Sequence, residues 1–167
     1  MNDSLSARGR DLRSLRFEEI YHRHFSMVYR VCVSYLKNRD DSEDAAADVF
    51  LRLWRSGKLF QNEEHEKAWL LRVTVNRCLD HLKRRDNRHE SIDVQTLAQD
   101  ADPVSRDETL TAIMELPDRY KAVIYMYYYE GYTSREIADI LRKPPSTIRS
   151  YLQEARRYLK GVLTDEE

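Results

Sequence analysis

From Phe17 onward, apolar residues recur every three or four positions: Phe17, Ile20, Tyr21, Phe25, Val28, Val31, Cys32 and Tyr35. That spacing is the stripe of an amphipathic helix. The pattern predicts its end near Lys37-Asn38, with Asp41 as the N-cap of a second helix. Glu43 and Asp44 then fall in the positive first turn, and Ala46, Val49, Phe50 and Leu53 form the stripe. Ser56-Gly57 stops that helix. After a polar stretch over residues 58–65, a third helix is expected over residues 66–85, with Trp69, Leu70, Val73, Leu79 and Leu82 turned inward. Trp54 and Trp69 read as core residues on their helical register. Ahead of all this, residues 1–16 carry Arg8, Arg10, Arg13 and Arg16 with few apolar anchors, which reads as a mobile basic tail.

The pattern breaks between Asn87 and Asp107, where Asp93, Asp100, Asp102 and Pro103 replace the apolar periodicity. A flexible acidic linker over residues 87–104 is expected there. Periodicity resumes near Ser105 with Leu110, Ile113 and Leu116 on one face. Pro117 suits a helix start, Tyr120, Val123, Ile124 and Tyr127 continue it, and Gly131 ends it. Thr133-Ser134-Arg135-Glu136 has the form of a capping box ahead of Ile137, Ala138, Ile140 and Leu141. After the break at Arg142-Lys143-Pro144-Pro145, Ser146 or Thr147 begins a last helix whose Ile148, Leu152, Ala155 and Leu159 face inward. Two short helices with small Ala138 near their crossing form a helix-turn-helix. The chain reads as all-α: two small helical domains, residues 17–86 and 105–163, joined by the linker.

Composition supports this. Four Gly and four Pro in 167 residues leave little turn chemistry for a β-rich fold. The 28 basic and 29 acidic residues balance, so any attraction to a polyanion must be local. It is local in one place: from Ser134 to Lys160 there are seven basic residues against three acidic. Arg149, Arg156, Arg157 and Lys160 lie on the exposed side of the last helix, the helix that enters the major groove in helix-turn-helix proteins. A solvated basic helix has the same composition, and the helix-turn-helix pattern is what favours DNA. Cys32 and Cys78 fall among apolar residues and read as core. His22 and His24 point apart on a helix and make no metal site. No apolar run long enough for a membrane span or a signal peptide is found, so a cytoplasmic protein is expected. No phosphate loop, nucleophile-base pair or metal cluster suggests an enzyme or a cofactor.

Three segments together resemble the extracytoplasmic function sigma factors of bacterial RNA polymerase. The first is Asp44-Ala45-Ala46-Ala47-Asp48-Val49-Phe50-Leu51-Arg52-Leu53-Trp54, similar to D-x-x-Q-[ED]-x-F-x-x-x-W. The second is Ala68-Trp69-Leu70 with Asn76, Asp80, Leu82 and Arg84-Arg85. The third is Leu116-Pro117-Asp118-Arg119-Tyr120 followed by the helix-turn-helix and Thr147-Ile148-Arg149-Ser150, similar to LPxxxR and G-T-V-K-S.

The resemblance implies a protein that binds core polymerase, recognises −10 and −35 promoter elements and directs transcription initiation, often of a stress or envelope response. It implies contact with the β′ clamp helices through Asp44, Asp48, Phe50 and Arg52, and with the β flap through the second domain. It implies −10 contacts from Phe60, Gln61, Asn62, Arg72, Asn76, Arg77, Asp80, Lys83, Arg84 and Arg85, and −35 contacts from Ser146, Thr147, Arg149, Ser150, Arg156 and Arg157. An anti-sigma factor is a further implied partner. The residues themselves leave alternatives: Asp44 and Asp48 form an i, i+4 pair that also suits a helix dipole, and the arginines of the third helix also suit a solvated face. Four departures stand out. Ala47 replaces Gln, Arg142 stands where the turn usually has Gly, Ser146 replaces Gly and is expected to cap the helix, and Tyr151 and Glu154 occupy positions often basic. The competing function is a dimeric helix-turn-helix regulator that binds duplex operator DNA without polymerase.

Overall fold

The computed structural model describes residues 2–88 and 107–164. Most of the expected linker, including Asp93, Asp100, Asp102, Pro103 and Ser105, lies outside the described residues. The described residues form seven helices: α1 (Asn2–Leu36), α2 (Arg39–Ser56), α3 (Glu63–Asn87), α4 (Glu108–Met114), α5 (Asp118–Tyr128), α6 (Ser134–Leu141) and α7 (Pro145–Thr164). No helix among them is long and apolar enough to cross a membrane.

Residues 2–16, expected as a mobile tail, instead continue α1 as one helix of 35 residues. Its first part is exposed, and Arg13 anchors it by donating to the backbone carbonyl of Trp54. From Met27 onward the helix is buried on almost every side, with Val28, Val31, Cys32, Val33, Tyr35 and Leu36 at most 2% exposed. One stripe packs on α2 and α3. Tyr29 and Val33 form a second stripe against Leu110 of α4. An apolar helix surface wider than one stripe requires neighbours on more than one side, and α1 has them.

The helix ends follow local chemistry. Lys37 adopts a left-handed conformation (φ 61°) that closes α1. The cap of α2 is Asn38 rather than the expected Asp41: the Asn38 side chain accepts from the Asp41 N–H at 2.8 Å, and its amide donates to the Asp41 carboxylate at 2.8 Å. Gly57 ends α2 at φ 59°. The third helix starts at Glu63, three residues before the expected Glu66, because Asn62 caps it by accepting from the His65 N–H at 2.9 Å. On α3, Leu70 is buried and Trp69, Val73 and Leu82 are half-buried, but Leu79, expected inward, is 41% exposed. Trp54, expected in the core, lies at the rim with 36% of its surface exposed and the Arg13 guanidinium stacked on its ring. Cys32 and Cys78 are buried and unbridged. His22 is exposed, whereas His24 is buried, its Nε2 2.7 Å from the Glu66 carboxylate.

The helices α4–α7 pack on α1 and α3 through a seam rich in polar groups. Arg30 Nε donates to the Tyr125 hydroxyl at 3.2 Å, which donates to Glu130 at 3.1 Å, and Lys67 pairs with Glu130 at 2.8 Å. Lys121 is the extreme case. It is 1% exposed, its ammonium 3.1 Å from an Asp118 carboxylate oxygen and 5.5 Å from the Tyr35 ring. Burial holds its pKa below the usual lysine value, and Asp118 opposes that shift without cancelling it. A buried cation of this kind is replaceable by an apolar chain of like volume without loss. Lys121→Met is therefore expected to leave the thermal midpoint unchanged or raise it, and Lys121→Ala to lower stability by about 2 kcal/mol through the void it leaves. Parallel melts of the two variants check both.

Candidate nucleic-acid interface

The basic residues of α3 divide between two faces. Arg77 donates to the Asp48 carboxylate at 2.6 Å, and Asp48 also pairs with Arg52 at 3.4 Å. Arg85 is 9% exposed and bonded to Asp41, with His81 at 3.2 Å from its guanidinium. Arg77 and Arg85 clamp α3 to α2, whereas exposed Arg52 pairs with Asp48 within α2. The other face carries Arg72, Asn76 and Lys83 at helical spacing, with Arg84 exposed and ion-paired to Asp80 at 3.1 Å. That stripe is the part of the expected −10 set that the fold leaves on the surface.

Ahead of α3, Phe60 is half-buried and leans on Trp69 with ring centroids 5.8 Å apart. Gln61 and Asn62 are exposed. The carbonyl of the Asn62 side chain is taken by its capping bond, which leaves its amide as a donor. On α2, Phe50 is buried in an aromatic cluster with Phe17, Tyr21 and Phe25. It supports the α2 surface from beneath and forms part of the floor of a groove on that surface. Asp44, Ala47 and Leu51 are the exposed residues of that face. Ala47 and Leu51, with Trp54, line an apolar groove of about 510 Å³ bounded by Tyr21, Phe25 and Glu43.

The second unit builds its reading helix in steps. Thr133 caps α6 and Glu136 returns the bond, completing the expected capping box. Arg142 ends α6 in the left-handed region at φ 56°, so the turn keeps the shape that Gly would give at a cost of about 1 kcal/mol. Lys143 N–H donates to the Ala138 carbonyl at 3.0 Å across the turn. The last helix begins at Pro145, one residue before the expected Ser146, because Pro fits a first helical position. Ser146 therefore lies inside the first turn and does not cap it. Ile148 is fully buried, with Ser146, Arg149 and Ser150 exposed and Thr147 half-buried around it.

Further along α7 the arginines are engaged. Arg156 Nε donates to the Tyr128 hydroxyl at 3.4 Å with its guanidinium 5.3 Å from the Tyr127 ring, and Arg157 pairs with Glu154 at 3.3 Å. Tyr151 is half-buried edge-on to Tyr120, 5.5 Å between centroids. The tyrosines that organise this side were missed from sequence because Tyr127 and Tyr128 follow the ordinary apolar register of α5. The helix-turn-helix lies beside the basic face of α3: Arg72 is held below its usual pKa by burial and then by the charge of Arg142.

Two basic surfaces, one on α3 and one on a helix-turn-helix, define an all-helical DNA-binding protein with two reading units. Sequence comparison agrees. The model for Sigma-70 region 2 matches residues 20–88, and that for Sigma-70 region 4 matches residues 106–159. The chain belongs to the sigma-70 family, among its extracytoplasmic function sigma factors. It is 28% identical over 147 residues to the RNA polymerase sigma factor SigV of Bacillus subtilis, covering 86% of this chain and 89% of that one. It is 28% identical over 151 residues to the ECF RNA polymerase sigma factor SigM of Mycobacterium tuberculosis, covering 88% and 76%. The fold is similar to the sigma factor RpoE in complex with the anti-sigma factor NepR from Bartonella quintana, with a TM-score of 0.71, 18% identity and coverage of 91% and 99%. It is also similar to CnrH in complex with the cytosolic domain of CnrY, with a TM-score of 0.65, 20% identity and coverage of 90% and 89%.

The two faces of α3 separate two roles. Arg85→Ala strips a buried partner from Asp41 and is expected to destabilise the fold by about 3 kcal/mol. Arg84→Ala is expected to stay within about 0.5 kcal/mol, as exposed i, i+4 pairs do. Asp41 is held below the usual carboxylate pKa: burial pushes it up, but Asn38, Arg85 and His81 outweigh burial. Its contribution to stability is present above its unfolded pKa of about 3.9 and lost as pH falls through the lower folded value. Urea midpoints from pH 7 to pH 2 check this, with the Arg85→Ala protein losing less stability on acidification than the parent.

Proposed function

We propose that the chain engages core RNA polymerase through the exposed face of α2 and carries promoter specificity on two separate surfaces. Residues 17–86 form the unit for polymerase and the −10 element, and residues 105–163 the unit for the −35 element and the β flap. Asp44, Ala47 and Leu51 meet the β′ clamp helices, Asp44 guiding the encounter and the apolar groove floored by Phe50 holding the complex. Gln61 and Asn62 select a −10 base, assisted by Phe60. Arg72, Asn76, Lys83 and Arg84 hold the backbone of the strand. Ser146, Thr147, Arg149 and Ser150 face the −35 element, with Arg156 and Arg157 flanking it as phosphate contacts. The chain acts in the cytoplasm with polymerase, and the nucleotidyl chemistry stays with polymerase. An anti-sigma factor, as in the complexes of the similar structures, is its regulator.

The observation that carries this reading is the first part of α7. Buried Ile148 fixes the rotation of the helix, and the polar residues around it are left on the surface at the end that enters the groove. Arg149 has no ion pair among the described residues, so it is open to a guanine edge.

Run-off transcription with core enzyme is expected to depend on this protein and on both promoter elements. A dimeric operator-binding regulator would instead hold duplex DNA unaided. Arg149→Ala is expected to cost about 1–3 kcal/mol on the cognate −35 element and relax preference at one base pair, measured on single-base variants at fixed salt. Even loss across all variants would make Arg149 a phosphate contact. Asp44→Lys is expected to reduce core binding with helical circular dichroism intact, as read in a pull-down with core enzyme.

A further inference from the structure

The exposed first part of α1 lies outside the residues matched to either sigma region. It walls a groove of about 230 Å³ against the end of α2. Three cations line that groove, Arg13, Arg16 and Lys58, together with the apolar surfaces of Phe17, Trp54 and Leu59. No carboxylate lines it among the described residues. Arg13 builds the wall: it donates to the Trp54 carbonyl, one of the last in α2 that the helix leaves without a partner, and its guanidinium lies 4.5 Å from the centre of the indole ring. Arg16 and Lys58 are exposed. Leu59, 69% exposed, stands at the mouth.

A positively charged groove that tracks the backbone is one part of the arrangement by which proteins hold single-stranded nucleic acid, and here Arg13 covers the Trp54 ring as part of that groove's wall. At about 230 Å³ the space falls short of the roughly 300–1,000 Å³ of a drug-sized ligand site, and it is several times the roughly 30 Å³ share of a water. It suits a phosphate with part of its nucleoside. Lys58 and Leu59 run directly into residues 59–65, so the groove and the candidate base-reading segment form one surface.

We infer that this groove binds a phosphodiester of single-stranded DNA next to the nucleotide read by residues 59–65, with Arg16 and Lys58 holding the phosphate and Arg13 positioning the wall. The inference rests on the −10 role proposed above for that segment. An acidic peptide would satisfy the same cations, but continuity with a base-reading segment and the exposed aromatic rim favour a nucleic-acid strand.

The test uses the full chain bound to core polymerase and a fluorescent single-stranded −10 oligonucleotide, titrated at several salt concentrations. Arg16→Ala and Lys58→Ala are each expected to weaken binding by about three- to tenfold and to lower the salt slope by about 0.7, with base preference unchanged. Arg16→Lys is expected to restore most of the salt slope, which a loss of folding would not permit. In a scan of oligonucleotides carrying one uncharged methylphosphonate linkage each, one position should weaken the parent protein and leave Arg16→Ala unaffected. Unchanged affinity and slope in both alanine variants, with Asn62→Ser still altering base preference, would overturn the groove alone. Asn62→Ser keeps the helix cap and removes the amide, so its failure to alter base preference would remove the −10 role itself. Normal DNA binding with weakened capture of an acidic anti-sigma segment would overturn the inference in favour of a protein ligand.

Discussion

The all-round burial of the second half of α1 is the constraint on which the rest of the molecule depends. A helix with apolar residues on one stripe is satisfied by one neighbour. This helix carries Val28, Val31 and Cys32 toward α2 and α3, Tyr29 and Val33 toward α4, and Tyr35 against Lys121 of α5. Removing these partners would return several large side chains to water, each worth about 1.5–3 kcal/mol when fully buried. The placement of every surface discussed above follows from that sharing.

Around this axis, charge divides along the length of α3. Arg77 and Arg85 are turned onto Asp48 and Asp41, whereas Arg72, Lys83 and Arg84 remain outside. The division is geometric: residues 77, 81 and 85 fall on the flank of the helix that lies against α2. Asp48, which looks like a partner contact in the sequence, is thereby also tied to Arg77 across the helix pair. The departures from the family pattern have similar local explanations. Tyr151 has exchanged a surface role for packing on Tyr120, Glu154 is balanced by Arg157, and Arg142 accepts the left-handed turn that Gly would adopt freely.

The helices, the capping box at Thr133 and Glu136, the stop at Gly57 and the buried register of Ile148 were legible in the sequence, because each is set by neighbours within a turn or two. The errors have a common physical origin in interactions between distant segments. Asp41 looked like a cap because the left-handed turn at Lys37, after which Asn38 caps the helix, carries no glycine to announce it. The first 16 residues looked mobile because their anchor, Arg13 on Trp54, spans 41 positions. The burial of Phe50 was hidden because its aromatic partners lie on another helix. In the N-terminal turn of α7, the buried place of Ile148 and the exposed places of Arg149 and Ser150 were readable, whereas Ser146 was misread as a cap. The α3 set was readable only as a list of cations, since nothing local says which of them meet a carboxylate.

The seam between α1 and the C-terminal helices is built from tyrosine hydroxyls, a lysine, an arginine and a glutamate as much as from aliphatic groups. Burial holds the Lys121 pKa down, so that head in particular would gain from water. Joints between units of one chain are commonly of this more polar kind, and relative movement is their ordinary behaviour. Parting the two units would wet these groups, with the rehydration of Lys121 favouring the parted form, but it would also bare Tyr29, Val33 and Leu110, so the apolar stripe sets the strength of the joint and its polar heads temper it.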